Sequence, residues 1–207
     1  MSINEEDTYL TISDTSQGTF RDRGSKFIGY AFHVKDEEDV KNRIEELRKE
    51  HASARHFCYA YLIRPENEYW RANDDGEPSG SAGKPILGQI RSRTLQETLV
   101  VVVRYFGGTL LGVPGLINAY KQAAAEALEN CIPVSRVIAS TLILETNYEK
   151  IGELMKFLKD NQLEYEPPKM TEKVQIATRI PRSKLPEYKQ FFKEKTWLSN
   201  SDPDTSV

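Results

Sequence analysis

The chain has only two cysteines, Cys58 and Cys131. Neither falls in a CxxC or zinc-ligand spacing, which argues against a disulfide scaffold or a thiolate metal cluster. Cys58 lies in an apolar strand pattern, where a buried free thiol is expected. No apolar run approaches the roughly 20 residues of a membrane-spanning helix. The segment Met1–Asp7 is acidic and has no apolar signal core, so the expected location is the cytoplasm, away from membranes. There is no excess of positive charge either: the net charge is -3. Up to Ile132 there are 16 basic and 20 acidic side chains, and after it 12 and 11. Nucleic-acid binding through the protein's overall charge is thereby excluded, and any phosphate recognition needs a local patch. GxSxG, HExxH and Walker phosphate-loop patterns are all missing, so a hydrolase has little support, and no cofactor is implied. No long repeat is present.

What is present is an ordinary globular composition over 207 residues, 39% hydrophobic and 29% charged, enough for one domain or two small ones. Strands are expected at 9–12, 18–21 and 26–34. Asp36 is a plausible N-cap, with Glu37, Glu38 and Asp39 in the first turn, for a helix reaching about His51. A strand at 57–63 pairs with 69–72 across a Pro-containing turn. A long polar, glycine-rich loop follows at 73–85, then a short helix at 85–90. The wholly apolar Leu99–Val103 reads as a buried strand, and 113–129 as a helix with Leu116, Ile117, Tyr120, Ala124, Ala127 and Leu128 on its apolar face. After Cys131-Ile132-Pro133 the pattern resets. A strand at 137–145, a helix at 148–159, strands at 163–165 and 174–180, a helix at 184–195 and a short strand including Trp197 and Leu198 give βαββαβ, the ferredoxin-like order. The residues from Ser199 onward read as a frayed tail.

Four groups of residues can carry chemistry. In Gly80-Ser81-Ala82-Gly83-Lys84-Pro85, glycine amides and an ammonium suit a phosphate, or they form a loop leading into a helix with Pro85 near its start. Asp74, Asp75 and Glu77 suit a hard cation, or they are solvated turn acids. His56 is an acid/base candidate, and His33 and His51 form no metal set with it. At the end of the apolar strand, Arg104-Tyr105-Phe106-Gly107-Gly108 offers an anion or base-stacking site, joined by Arg91 and Arg93 in one positive patch. The alternative for Arg104 is an ion pair at the sheet edge with an acid of the 74–77 loop.

Taken in order, Asp75–Pro85 and Val103–Gly108 resemble the motifs of the IMPACT/YigZ family. Ala54-Arg55-His56-Phe57-Cys58-Tyr59-Ala60 resembles that family's histidine-containing strand. The match runs from about Gly24 to Asn130. The resemblance implies a two-domain α+β protein divided at Ile132/Pro133. Its first domain is similar to the second domain of ribosomal protein S-five, and its second to the last domain of elongation factor G. Eukaryotic members regulate translation under amino-acid starvation by binding an activator of a protein kinase, using an additional N-terminal domain. After Gly107-Gly108 the family pattern has a lysine near Leu110 and a glycine near Pro114. Losing the lysine removes a cation, and Pro114 removes an amide donor.

These observations point to a non-catalytic binding protein linked to translation, with RNA, the ribosome or a translation-associated protein as partner. Its expected surface contains Gly83, Lys84, Arg91, Arg93, Arg104, Tyr105, Phe106, Gly107 and Gly108. One alternative is an enzyme for a small phosphorylated or anionic substrate, using His56, the 74–85 loop and Arg104 in one cleft. A protein-interaction adaptor is the other, and an exposed apolar patch would favour it.

Overall fold

A computed structural model of the chain describes residues 7–65 and 67–202. Its contacts divide between Arg136 and Val137, with the residues before Tyr9 grouped with the C-terminal unit. The α+β architecture implied by the resemblance is the one observed.

The N-terminal unit runs β1 (Thr8–Ile12), β2 (Ser16–Asp22), β3 (Ser25–His33), α1 (Glu37–Glu50), β4 (His56–Ile63), β5 (Tyr69–Asn73), α2 (Gly83–Ser92), β6 (Thr98–Tyr105), α3 (Gly112–Glu129) and β7 (Pro133–Val137). Five strands form one sheet in the order β2-β3-β6-β4-β5, each paired antiparallel to its neighbour. The valine run of β6 lies at the centre of this sheet. It is covered on both sides, which explains why it shows no polar alternation. Val101 and Val103 face a cluster with Tyr30, Phe32, Phe57, Tyr61 and the α1 residues Val40 and Leu47. Val100 and Val102 face the opposite cluster, with Cys58, Ile86, Leu116, Tyr120 and the alanines of α3.

The expected cap of α1 is present: the Asp36 carboxylate accepts from the Asp39 amide at 2.9 Å, ahead of three acids in the first turn. Helix α3 approaches β2 and β3 closely. A Cβ built on Gly29 would lie 2.3 Å from the Ala123 carbonyl oxygen, and one on Gly18 would lie 2.4 Å from the Ala127 amide. Only hydrogen at these two registered positions, with small residues on the helix, permits the contact.

The C-terminal unit contains β8 (Ala139–Thr146), α4 (Ile151–Asp160), β9 (Glu164–Tyr165), β10 (Lys169–Met170), β11 (Val174–Pro181), α5 (Leu185–Lys193) and β12 (Leu198–Ser201). The sheet path is β10-β11-β8-β12, with β9 also on β11. This is the ferredoxin-like order with its second strand split in two. Leu142, Leu144, Ile176 and Ile180 pack against Leu154, Leu158, Tyr188 and Phe192 of the helices. The other face, through registered Thr141↔Arg179, Ile143↔Ala177 and Glu145↔Gln175, carries no aromatic side chain on β8 or β11.

Several boundaries differ from expectation. The strand expected at 137–145 is β8, which starts at Ala139, while Val137 instead ends β7, an unexpected strand that pairs with β1 in a separate sheet. The segment after Pro167-Pro168 forms β10, held to β11 through Lys169↔Gln175. Ser199–Ser201 are not a frayed tail; they pair with β8, Ser199 opposite Glu145. Residues 203–207 lie outside the described residues. Ile117 leaves the apolar face expected of α3, whose buried positions are Leu116, Ala119, Tyr120, Ala123, Ala124, Ala127 and Leu128. No helix among the described residues is long and apolar enough to cross a membrane.

Candidate functional site

The motif residues gather at one end of the N-terminal sheet, where β6 ends between the starts of β3 and β4. Arg104 is registered with Phe27 on one side and His56 on the other, so all three face α2 and α3. The 74–83 loop folds back over this end, and what its acids do decides the character of the site.

Asp74 occupies the place proposed for a phosphate. Its Oδ1 accepts from the amides of Ala82 and Gly83 at 2.9 and 2.8 Å, and its Oδ2 from the Gly80 amide at 2.8 Å. Burial works against the charge on Asp74, but these three amides and the Lys84 ammonium outweigh it and hold the carboxyl below its ordinary range. The start of α2 is therefore already filled by an internal carboxylate. Gly83 is buried there, and Lys84, one residue on, is exposed.

Asp75 and Glu77 are spent just as fully. Asp75 Oδ2 accepts from the Phe57 amide at 2.6 Å, and its Oδ1 from Arg48 at 2.9 Å. Glu77 Oε1 accepts from both Arg104 and the Tyr120 hydroxyl at 2.6 Å. The Arg104 and Glu77 side chains are 6% and 4% exposed. The turn acids are thus neither solvated nor grouped as cation ligands. Each carboxylate has its own N–H or O–H donors, and no metal-holding cluster occurs among the described residues.

Arg104 is consequently not a surface cation. Of the two readings of it, the ion pair with the loop is the one observed. Its guanidinium lies over Phe27 at 5.4 Å and Phe106 at 5.5 Å. Cys58, a free buried thiol, donates to the Asp74 carbonyl. Burial raises both the Cys58 thiol and the Tyr120 phenol above their ordinary ranges, so both stay neutral beside Glu77. His56 is half-buried, with Nδ1 2.9 Å from the Asp75 carbonyl oxygen. That contact puts the hydrogen on Nδ1 and leaves Nε2 uncommitted.

The expected positive patch does not assemble. Arg91 and Arg93 lie at the far end of α2 from Lys84. A ten-residue helix spans about 15 Å. Arg91 pairs with Glu68 at 2.7 Å and covers Trp70. Arg93 reaches the C-terminal half of α3, at the Ala125 carbonyl and Glu129. Tyr105 points to the opposite face of the sheet, as strand alternation requires. There its hydroxyl meets His51 Nδ1 at 2.8 Å, while His51 Nε2 meets Tyr30 at 2.7 Å. Tyr105 and Phe106 therefore form no stacking pair. The Gly107 amide donates to Ser25 Oγ at 3.1 Å. A Cβ on Gly107 would lie 1.9 Å from the Gly24 carbonyl carbon, which is why glycine stands there. Gly108 takes φ 85°, a left-handed turn. A cavity of about 460 Å³ lies between α1 and strands β4 and β5. It is lined by Tyr59, Tyr61, Arg48, Arg71 and Asp75 among others, and by none of Lys84, His56 and Arg104.

Sequence reasoning found only part of what this end presents outward: Phe106 is among the expected surface residues, whereas Leu110, Val113 and Ile117 are not. Phe106 is 54% exposed, Leu110 82%, Val113 46% and Ile117 39%. Pro114 sits in the first turn of α3, where a missing amide is tolerated. Leu110, Val113 and Ile117 at spacings of three and four gave a signal, but it was hidden by the stronger stripe through Leu116 and Tyr120.

A family model described as the Impact N-terminal domain matches residues 23–128. The IMPACT family member YvyE of Bacillus subtilis is 31% identical over 189 residues, spanning 91% of this chain and 87% of that protein. The IMPACT family member YigZ of Escherichia coli is 36% identical over 129 residues, 61% of this chain and 63% of that protein. A solved crystal structure of a hypothetical protein aligns over 97% of this chain and 99% of its own length, at 26% identity and a TM-score of 0.74.

Proposed function

Since the chain belongs to the IMPACT family, we propose that it is a cytoplasmic, non-catalytic binding protein of the translation apparatus that works through the motif end of its N-terminal unit. The family resemblance supplies the link to translation. The observation that selects among partners is the fate of the polar groups. The carboxylates of Asp74, Asp75 and Glu77 and the Arg104 charge are satisfied internally, while apolar side chains face water. A partner at this end meets Phe106, Leu110 and α3 rather than an amide-lined anion site. That favours a protein, either a ribosomal protein or a translation factor, over free RNA. Strands β8 and β11 of the C-terminal sheet carry no aromatic side chain of the kind that stacks single-stranded bases.

The enzyme alternative keeps one favourable observation: His56, the loop and Arg104 do converge, with His56 registered opposite Arg104. It loses its anion-holding group, because Glu77 neutralises Arg104.

The test is co-sedimentation of the full-length protein with ribosomes and ribosome-associated factors at low and raised salt, beside a titration with single-stranded RNA. Association with the particles that outlasts loss of RNA binding at raised salt is expected, because phosphate contacts release counterions and fade with salt. Absence of any association at low salt overturns the reading.

A further inference from the structure

We propose that Phe106, Leu110, Val113 and Ile117 form a docking ridge for an acidic protein segment with an apolar face. The inference rests on the reading above and names the partner class of the same site.

Four large apolar side chains within twelve residues are exposed, Leu110 most of all. Isolated exposed apolar residues are ordinary, whereas a contiguous group marks an interaction surface. The backbone holds the ridge up. Gly107 is pressed against Gly24, and Gly108 and Gly112 take positive φ of 85° and 70°, so the chain turns outward between β6 and α3.

Charge selects the occupant. No acidic residue occurs between Glu97 and Glu126. The Val113–Ile117 stripe continues, four residues on, to the exposed Lys121. At the other end, the turn between β2 and β3 that meets Gly107 carries the exposed Arg23 beside Asp22. Arg21 and Lys26, registered with each other and with Tyr105, belong to the opposite face of the sheet. Neither Arg23 nor Lys121 has a carboxylate partner among the described residues. The first turn of α3 has neither an acidic residue nor a side-chain cap, which adds positive potential at the same place. A segment carrying Leu, Ile or Phe on one side and Asp or Glu beside it satisfies both the ridge and its rim. A nucleic acid satisfies only the rim, because Phe106 is the single aromatic ring on the ridge.

The experiment is selection of a random displayed-peptide library on the full-length protein, with counter-selection on a Leu110→Lys/Ile117→Lys variant. Position 110 is so exposed that the first change leaves the fold intact, and circular dichroism checks this for the double variant. The expected enriched peptides combine Asp or Glu with large apolar residues. Their synthetic forms should bind about tenfold or more weakly to Leu110→Lys alone and weaken again in Arg23→Glu. Enrichment of basic peptides, equal binding to the variants, or no enrichment overturns the ridge. So does a Leu110-dependent dimer in sedimentation, or Leu110-dependent binding of a single-stranded RNA homopolymer. Peptide capture without ribosome association keeps the ridge and removes the translation reading. Ribosome association unaffected by Leu110→Lys, with no peptide capture, does the reverse.

Discussion

The 74–83 loop and the 106–117 segment lie at the same end of the N-terminal sheet, each overlaps a motif by which the chain resembles its family, and they spend their residues in opposite ways. The loop is rich in acids and amides, the groups usually assigned to ligand chemistry. Its carboxylates are nonetheless satisfied by the protein itself. The segment is poor in such groups and would pass for core, yet its Phe106, Leu110, Val113 and Ile117 face water. A buried polar group without a partner costs a great deal, so a motif polar residue close to a strand end is as well explained by the fold as by a ligand. An exposed leucine has no such internal explanation. In this end of the molecule the polar motif serves the fold, and the recognition proposed above falls to the apolar segment.

Removing Glu77 tests the first half of that contrast most severely. Arg104 is buried, and among the described residues its charge has no other carboxylate and its Nε lacks a hydrogen-bond partner. Glu77→Ala leaves that cation uncompensated and frees the Tyr120 hydroxyl, so the unfolding free energy should fall by about 3–5 kcal/mol. The urea midpoint measures it. A loss below about 1 kcal/mol, the range of solvated pairs, would mean that the loop is open to water and available to ligands after all.

Asp74 gives the next largest effect. Asp74→Asn keeps the shape but loses the charge, and with one acceptor oxygen it cannot serve both the Gly80 amide and those of Ala82 and Gly83, for an expected cost of about 1–3 kcal/mol at neutral pH. The pH dependence carries the sign. The folded-state carboxyl titrates below its ordinary range, so the unfolded chain takes up this proton first as pH falls. The contribution is complete above the unfolded value of about 3.9 and is lost as pH drops from there through the folded value. Wild-type stability should therefore fall more steeply than that of Asp74→Asn over this acid range. Parallel curves would mean that the carboxylate is not held by the amides of Gly80, Ala82 and Gly83.

How far this was readable from the chain follows from the range of each interaction. The α1 cap at Asp36, the buried β6 and the β4–β5 hairpin depend on neighbours within a few residues, and periodicity finds them. The pairing of β1 with β7 joins segments more than a hundred residues apart. β10 and β12 are short edge pairings that side-chain pattern does not mark. At the site, the Arg104–Glu77 pair was one of two open readings, and only the fold could choose, because it depends on the loop returning to β6. The Tyr120 hydroxyl meeting the same carboxylate was not legible, since α3 offers it only as one more core ring. Tyr105 and Phe106 are adjacent in sequence, and strand alternation sends them to opposite faces. That separation dissolved the expected stacking pair.

Leu110→Lys probes the other half of the contrast and should have the smallest effect on stability. With 82% of its surface exposed, Leu110 contributes little burial to lose, and surface changes of this kind fall within about 0.5 kcal/mol. An unchanged urea midpoint together with loss of peptide capture is the pairing that the recognition role requires, because it separates the side chain's use from its place in the fold. A drop of several kcal/mol would place Leu110 in the packing of α3. The contrast between loop and segment would then reduce to two kinds of structural residue, one polar and one apolar.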